Sequence, residues 1–147
     1  METVLVDTSF LVALLCRRDV HHERARELYE ELKKKYRLLF TDIVLGETVT
    51  VLMRRSREWK FPFTETVDTL RRMVPEPAQF AYYLAWRFWE VWNLAVESEG
   101  RLTFNDALLV IGCREEGIGG IVSFDRGFEG YLEVYGGKPG SIKTAKK

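Results

Sequence analysis

Four acidic side chains carry the chemistry that this sequence can do: Asp7, Glu47, Asp106 and Asp125. Asp7 follows the apolar run Val4-Leu5-Val6, and Asp125 ends the run Ile121-Val122-Ser123-Phe124. Short apolar runs of this kind read as buried parallel strands. In open α/β sheets, functional groups gather beyond the carboxyl ends of such strands. Glu47 lies one turn into the helix expected after a second strand, and Asp106 lies in the first turn of the helix expected before the third. One edge of one sheet can therefore hold all four. Carboxylates gathered in this way repel one another and cannot all stay ionised unaided. A divalent cation relieves the repulsion. Hard oxygen ligands favour Mg²⁺ or Mn²⁺, and the sequence has no Cys/His spacing suited to zinc. One or two such ions can activate a water and stabilise the leaving oxygen in phosphodiester cleavage. That chemistry needs no histidine base, which suits a chain whose two histidines are the adjacent His21 and His22.

Each acid also has a plainer reading. Asp7 and Asp125 stand where helix N-caps stand. Asp106 fits a capping box with Thr103. Glu47 could be a surface glutamate, although its neighbours Val44, Leu45 and Val49 are apolar and suggest partial burial.

The elements that must position these acids alternate between strand and helix. Strands are expected at 4–6, 38–40 and 121–124, with an edge strand at 132–135. Helices are expected near 8–15, 20–36, 42–57, 64–73, 78–97 and 104–116, with a short one near 126–131. Thr41 or Asp42 caps the third helix, Thr103-Phe104-Asn105-Asp106 opens the sixth, and Gly117 with Gly119-Gly120 ends it. The prolines in 73–77 exclude a central strand there. This alternation predicts an α/β fold with a mainly parallel sheet covered on both faces.

The motif contexts resemble the PIN domain, and within it the stand-alone VapC-type toxins. The resemblance rests on Val6-Asp7-Thr8-Ser9-Phe10-Leu11, Thr41-Asp42-Ile43-Val44-Leu45-Gly46-Glu47-Thr48, Phe104-Asn105-Asp106-Ala107-Leu108 and Val122-Ser123-Phe124-Asp125-Arg126-Gly127-Phe128. It runs from residue 3 to about residue 135. It implies a three-layer α/β/α PIN-like fold over 1–136; the composition of 137–147 reads as a basic tail. It implies Asp7, Glu47 and Asp106 as the main metal-binding acids, with Asp125 completing the site. Thr8, Ser9, Asn105 and Ser123 would support them. The implied activity is Mg²⁺- or Mn²⁺-dependent endoribonuclease cleavage leaving a 5′-phosphate, in a toxin inhibited by an antitoxin and forming a homodimer. Two readings remain beside it: a PIN nuclease of RNA processing or DNA metabolism, and a catalytically inert binding protein of the same fold. A phosphatase is disfavoured because the first strand lacks an Asp-x-Asp pair. One departure from the family is the absence of proline at Thr41-Asp42-Ile43.

Bulk properties are compatible with this picture. The 147 residues fit one domain, and 46% hydrophobic content can build a core. The 22 acidic and 22 basic residues cancel, so any polyanion must be met by a local patch. Arg126, beside Asp125, is the candidate substrate contact. The clusters Arg17-Arg18, Lys33-Lys34-Lys35, Arg54-Arg55-Arg57-Lys60 and Arg71-Arg72 are further candidates, more simply read as solvated helix faces. His21 and His22 are read as surface residues. Cys16 and Cys113 are expected to be buried, reduced thiols of a cytoplasmic protein. No run is long and apolar enough for a membrane span. The aromatics of 80–92 are too numerous for one helix face, which points to a protein contact such as a dimer or antitoxin groove.

Overall fold

A computed structural model describes residues 1–136; the expected basic tail at 137–147 lies outside them. The chain runs β1 (Thr3–Val6), α1 (Thr8–Leu15), α2 (His22–Lys35), β2 (Arg37–Leu39), α3 (Asp42–Trp59), α4 (Phe63–Met73), α5 (Tyr82–Glu97), α6 (Phe104–Glu116), β3 (Gly120–Val122), a 3₁₀ turn (Arg126–Phe128) and β4 (Glu133–Tyr135). The sheet order is β2-β1-β3-β4 and every pairing is parallel. The expected α/β/α layering holds, with a sheet that is wholly and not only mainly parallel. Val4, Leu5 and Val6 of β1 and Ile121 and Val122 of β3 are buried. That burial explains why these strands read as continuous apolar runs instead of alternating ones.

From β1 the chain crosses to β2 on one side, while β3 and β4 lie on the other. The order therefore reverses between β1 and β3. A crevice opens beyond the carboxyl ends of strands at such a switch point.

Three expectations need correction. First, β3 ends at Val122, so Ser123 and Phe124 separate it from Asp125. Second, β2 spans Arg37–Leu39 and not 38–40. Third, residues 78–81 do not join the fifth helix. Ala78 bridges Thr41, and its N–H donates to the Phe40 carbonyl at 2.8 Å. The Asp42 carboxylate then accepts the N–H groups of Phe80 (2.8 Å) and Ala81 (3.2 Å), which turns the chain into α5. Thr41 is the cap of α3, accepting from the Val44 N–H at 3.2 Å. The fifth helix is also bent: Arg87 has non-helical angles (φ −129°, ψ 24°). Cys16 and Cys113 are free and buried as expected, and burial raises their thiols to about 11 and about 12, which keeps both protonated. Among the described residues, no helix is long and apolar enough to cross a membrane.

Candidate active site

The four predicted acids face one cleft of about 490 Å³ at the β1/β3 switch point. Asp7 is the innermost, 5% exposed, at the first residue beyond β1. Its N–H extends the ladder to the Val122 carbonyl at 3.0 Å. It occupies the N-cap position of α1, yet its side chain makes no capping hydrogen bond. The carboxylate instead accepts from the hydroxyls of Ser123 (2.7 Å) and Ser9 (3.1 Å). The simple capping reading of Asp7 therefore fails. Burial raises the pKa of its carboxyl. The Ser123, Thr8 and Ser9 hydrogen bonds oppose that rise, and the Asp125 charge adds to it.

Glu47, on α3, is half-buried. Thr8 donates to its Oε1 and Asn105 to its Oε2, each at 3.1 Å. Two hydrogen bonds from α1 and α6 thus aim a side chain that sequence could have left on the surface.

Asp106 serves both readings at once. Its N–H donates to the Thr103 hydroxyl (3.1 Å), and its carboxylate accepts the Thr103 N–H (3.3 Å), which completes a capping box. It also lines the cleft. Burial first, with Asp7 and Asp125 adding like charge, pushes its carboxyl up to about 6 against the Thr103 hydrogen bonds.

Asp125 caps the 3₁₀ turn, accepting the Gly127 N–H at 2.8 Å, while its own N–H donates to the Ser123 hydroxyl at 2.9 Å. A Cβ at Gly127 would lie 2.3 Å from the Arg101 carbonyl oxygen, so glycine lets the Asp125 turn sit against that loop. Ser9 closes the network by accepting the Phe124 N–H at 3.0 Å. The four supporting residues expected from sequence all reach an acid or its backbone.

None of the ion pairs among the described residues involves these four acids. The donor set is oxygen-only and mutually repulsive, which fits a hard divalent cation. Among the described residues, however, no three Asp, Glu, His or Cys side chains stand close enough together to hold a metal ion between them. An open set of this kind suits a Mg²⁺-like ion that keeps several waters and takes few protein ligands.

Arg126 does not line the cleft. Its side chain is 85% exposed and its Nε donates to Glu129 at 2.9 Å. The cations lining the cleft are Arg54 and Arg55 of α3, from one of the basic clusters that sequence named. Sequence reasoning missed Asp19, His21 and Phe124, which also line it. The His21 ring stacks on Phe124 at 4.4 Å between centroids and 9° between planes. The one signal in the sequence was the two-residue Asp19–His21 spacing at a helix start, which is too common to single out. His22 is turned elsewhere, with Nδ1 2.7 Å from the Ala13 carbonyl.

Solved structures that share the fold include two VapC-type proteins. VapC20 of Mycobacterium tuberculosis, described as a Sarcin-Ricin-loop-cleaving toxin, is 24% identical with a TM-score of 0.67, over 84% of this chain and 90% of that one. VapBC2 of Rickettsia felis, described as bound to a DNA fragment from their promoter, is 14% identical with a TM-score of 0.67, over 92% of this chain and 99% of that one. No curated protein matches the chain. The PIN domain pattern matches residues 4–131, which includes all four acids, and the chain belongs to the PIN domain family.

Proposed function

We propose that this chain is a Mg²⁺- or Mn²⁺-dependent endoribonuclease, the toxin of a toxin–antitoxin pair acting in the cytoplasm. The observation that carries the chemistry is the buried, hydroxyl-bonded Asp7 carboxylate, with Glu47, Asp106 and Asp125 on the same cleft and no ion-pair partner for any of the four among the described residues. The role of toxin rests on family membership and on the fold shared with VapC20 and VapBC2, of which the first is described as a toxin.

Asp7, Glu47, Asp106 and Asp125 would hold the cation. When bound it would lower the pKa of a water and stabilise charge on the phosphate oxygens. The protein's own contribution is orientation. Ser9 and Ser123 fix Asp7, Thr8 and Asn105 fix Glu47, Thr103 fixes Asp106, and the Gly127 N–H fixes Asp125. Such preset geometry removes reorganisation from the reaction step.

An antitoxin and a second copy of the chain are the protein partners of this reading. We assign the second copy to the exposed face of α5, where Trp86 is 69% and Trp89 67% exposed beside Tyr82, Trp92 and Val96. These are large, mostly aromatic side chains of the kind enriched at the core of protein interfaces. A polyanion is a poorer occupant, because Arg87 in that face is already paired with Glu90 and Glu115.

The test is digestion of a mixed RNA pool by purified protein. Cleavage with Mn²⁺ or Mg²⁺ that stops on chelation is expected. No cleavage with either cation, or cleavage indifferent to chelation, would overturn the reading.

A further inference from the structure

The cleft has a second wall that the acids do not explain. The Phe10, Phe124 and His21 rings form a continuous stack from the core to the surface. Phe10 lies 6.0 Å from Phe124, and His21 lies 4.4 Å beyond it, nearly parallel. Phe10 is fully buried and His21 is exposed, so the stack presents an aromatic face to the cleft. Arg54 and Arg55 stand on the same cleft. Arg54 is exposed and makes no ion pair among the described residues. Arg55 lies over the Trp59 ring, 4.8 Å from its centroid, which fixes its guanidinium.

Asp19 ties this wall together. One carboxylate oxygen accepts the His21 N–H at 2.9 Å, and the other accepts from Arg55 at 2.7 Å. With both oxygens engaged, Asp19 is occupied as an organiser and is not a spare acid for a cation. Its loss would loosen the stack and the guanidinium together.

We infer that this wall is a nucleotide subsite for the RNA strand flanking the cut. An unpaired base stacks on the outer face of His21, an adjacent phosphate is met by Arg54, and Asp19 is the positioning residue that holds His21 and Arg55 in the wall. The chemistry follows from the surface. Aromatic faces take bases regardless of sequence, and each stacked base contributes substantially to single-strand binding. An acid-lined cleft repels a polyanion unless a cation stands near it, and Arg54, with no ion pair among the described residues, is that cation, whereas the charge of Arg55 is met by Asp19. This subsite rests on the ribonuclease reading, and it accounts for the substrate grip that Arg126, paired with Glu129 outside the cleft, does not supply.

The test separates binding from cleavage. Binding of a fluorescently labelled, mixed-sequence single-stranded RNA is measured by anisotropy in an Asp106→Asn background. His21→Ala and Arg54→Ala are each expected to weaken it about tenfold. Arg54→Ala should also reduce the dependence of log Kd on log salt by about one, while His21→Ala leaves that slope alone. His21→Phe should restore binding, because the ring face and not the imidazole nitrogens does the stacking. Asp19→Asn should lose affinity with an intermediate change. In the otherwise wild-type enzyme, the same substitutions should raise KM more than they lower kcat. Cleavage with KM unmoved in both His21→Ala and Arg54→Ala overturns the subsite alone. RNA binding that depends on these residues in a chain that cleaves nothing overturns the nuclease reading alone. No RNA binding at all overturns both.

Discussion

The acidic cleft and the outer face of α5 are both surfaces that this fold leaves unfinished, but they are unfinished in opposite ways. The cleft concentrates charge: Asp7 is buried and Asp106 pushed up to about 6, with no ion-pair partner among the described residues. The α5 face concentrates apolar area, with Trp86, Trp89 and Tyr82 more than half exposed. The first calls for a cation and a polyanion, the second for another apolar surface. The cleft acids are also held by hydrogen bonds from three segments of the chain, at 8–9, 103–105 and 123–127, so they are preset. The α5 aromatics touch mainly one another, as in the Trp89–Trp92 pair at 5.7 Å, and their order would come from the partner proposed for that face.

The largest effect that would sharpen this contrast comes from Ser123. Ser123→Ala removes the 2.7 Å donor to the buried Asp7 and the acceptor of the Asp125 N–H. A loss of about 2–3 kcal/mol is expected in urea unfolding at pH 7, as for other buried bonds to a charged group. An unchanged midpoint would break the claim that hydroxyls hold the cleft in place. On the other region, Trp89→Glu should leave folding nearly untouched while weakening self-association by about 30-fold, the effect of a typical interface anchor. Sedimentation velocity reads this directly. A wild-type chain that stays monomeric at high concentration would remove the second copy from the α5 face.

A smaller effect tests the crowding of the acids. The folded Asp106 carboxyl titrates near 6, above its ordinary 3.8. Between those values the folded chain holds a proton that the unfolded chain has released. Stability without metal should therefore fall as pH rises from about 4 to about 6, and stay low above that. Asp106→Asn removes this slope and keeps an oxygen to accept the Thr103 N–H. With allowance for solvent screening of a part-exposed group, the gain at pH 7 is about 1 kcal/mol, or about 3 °C in Tm. Mg²⁺ should reverse the ranking by stabilising the wild type more than the variant. A wild-type–variant difference that is flat from pH 4 to pH 7 would contradict a crowded site.

These two regions also differ in how far the sequence exposed them. The acids were legible because strand ends and helix starts fix their positions locally: an apolar run followed by Asp, or Thr followed three residues later by Asp, has few folded outcomes. The partners of Glu47 were anticipated only as a resemblance, since Thr8 and Asn105 reach it across 39 and 58 residues of chain. The second wall of the cleft was not legible. Asp19 and Arg55 meet over 36 residues, and His21 meets Phe124 over a longer span still. Residue types alone made Arg126 look closer to the site than Arg54, because adjacency in sequence to Asp125 does not tell which way a 3₁₀ turn sends the next side chain. For α5 the sequence announced a surplus of aromatics but no register. A helix apolar on most sides has no stripe to read, and the bend at Arg87 sends Phe88 against Phe104, at 5.6 Å, while Trp86 and Trp89 face outward. Asp42, expected as a possible cap of α3, instead organises the start of α5, a contact over 38 residues that local pattern does not show.

On the reading proposed above, the cleft acids, and Asp7 above all, make the chain a cation-dependent ribonuclease. This is tested most directly by the cleavage rate of an RNA pool with saturating Mn²⁺, wild type against Asp7→Asn. The substitution keeps size and hydrogen-bonding shape but removes the charge at the innermost position. The rate should fall by about a thousandfold or more, with the variant still folded. Cleavage by folded Asp7→Asn at the wild-type rate would contradict it.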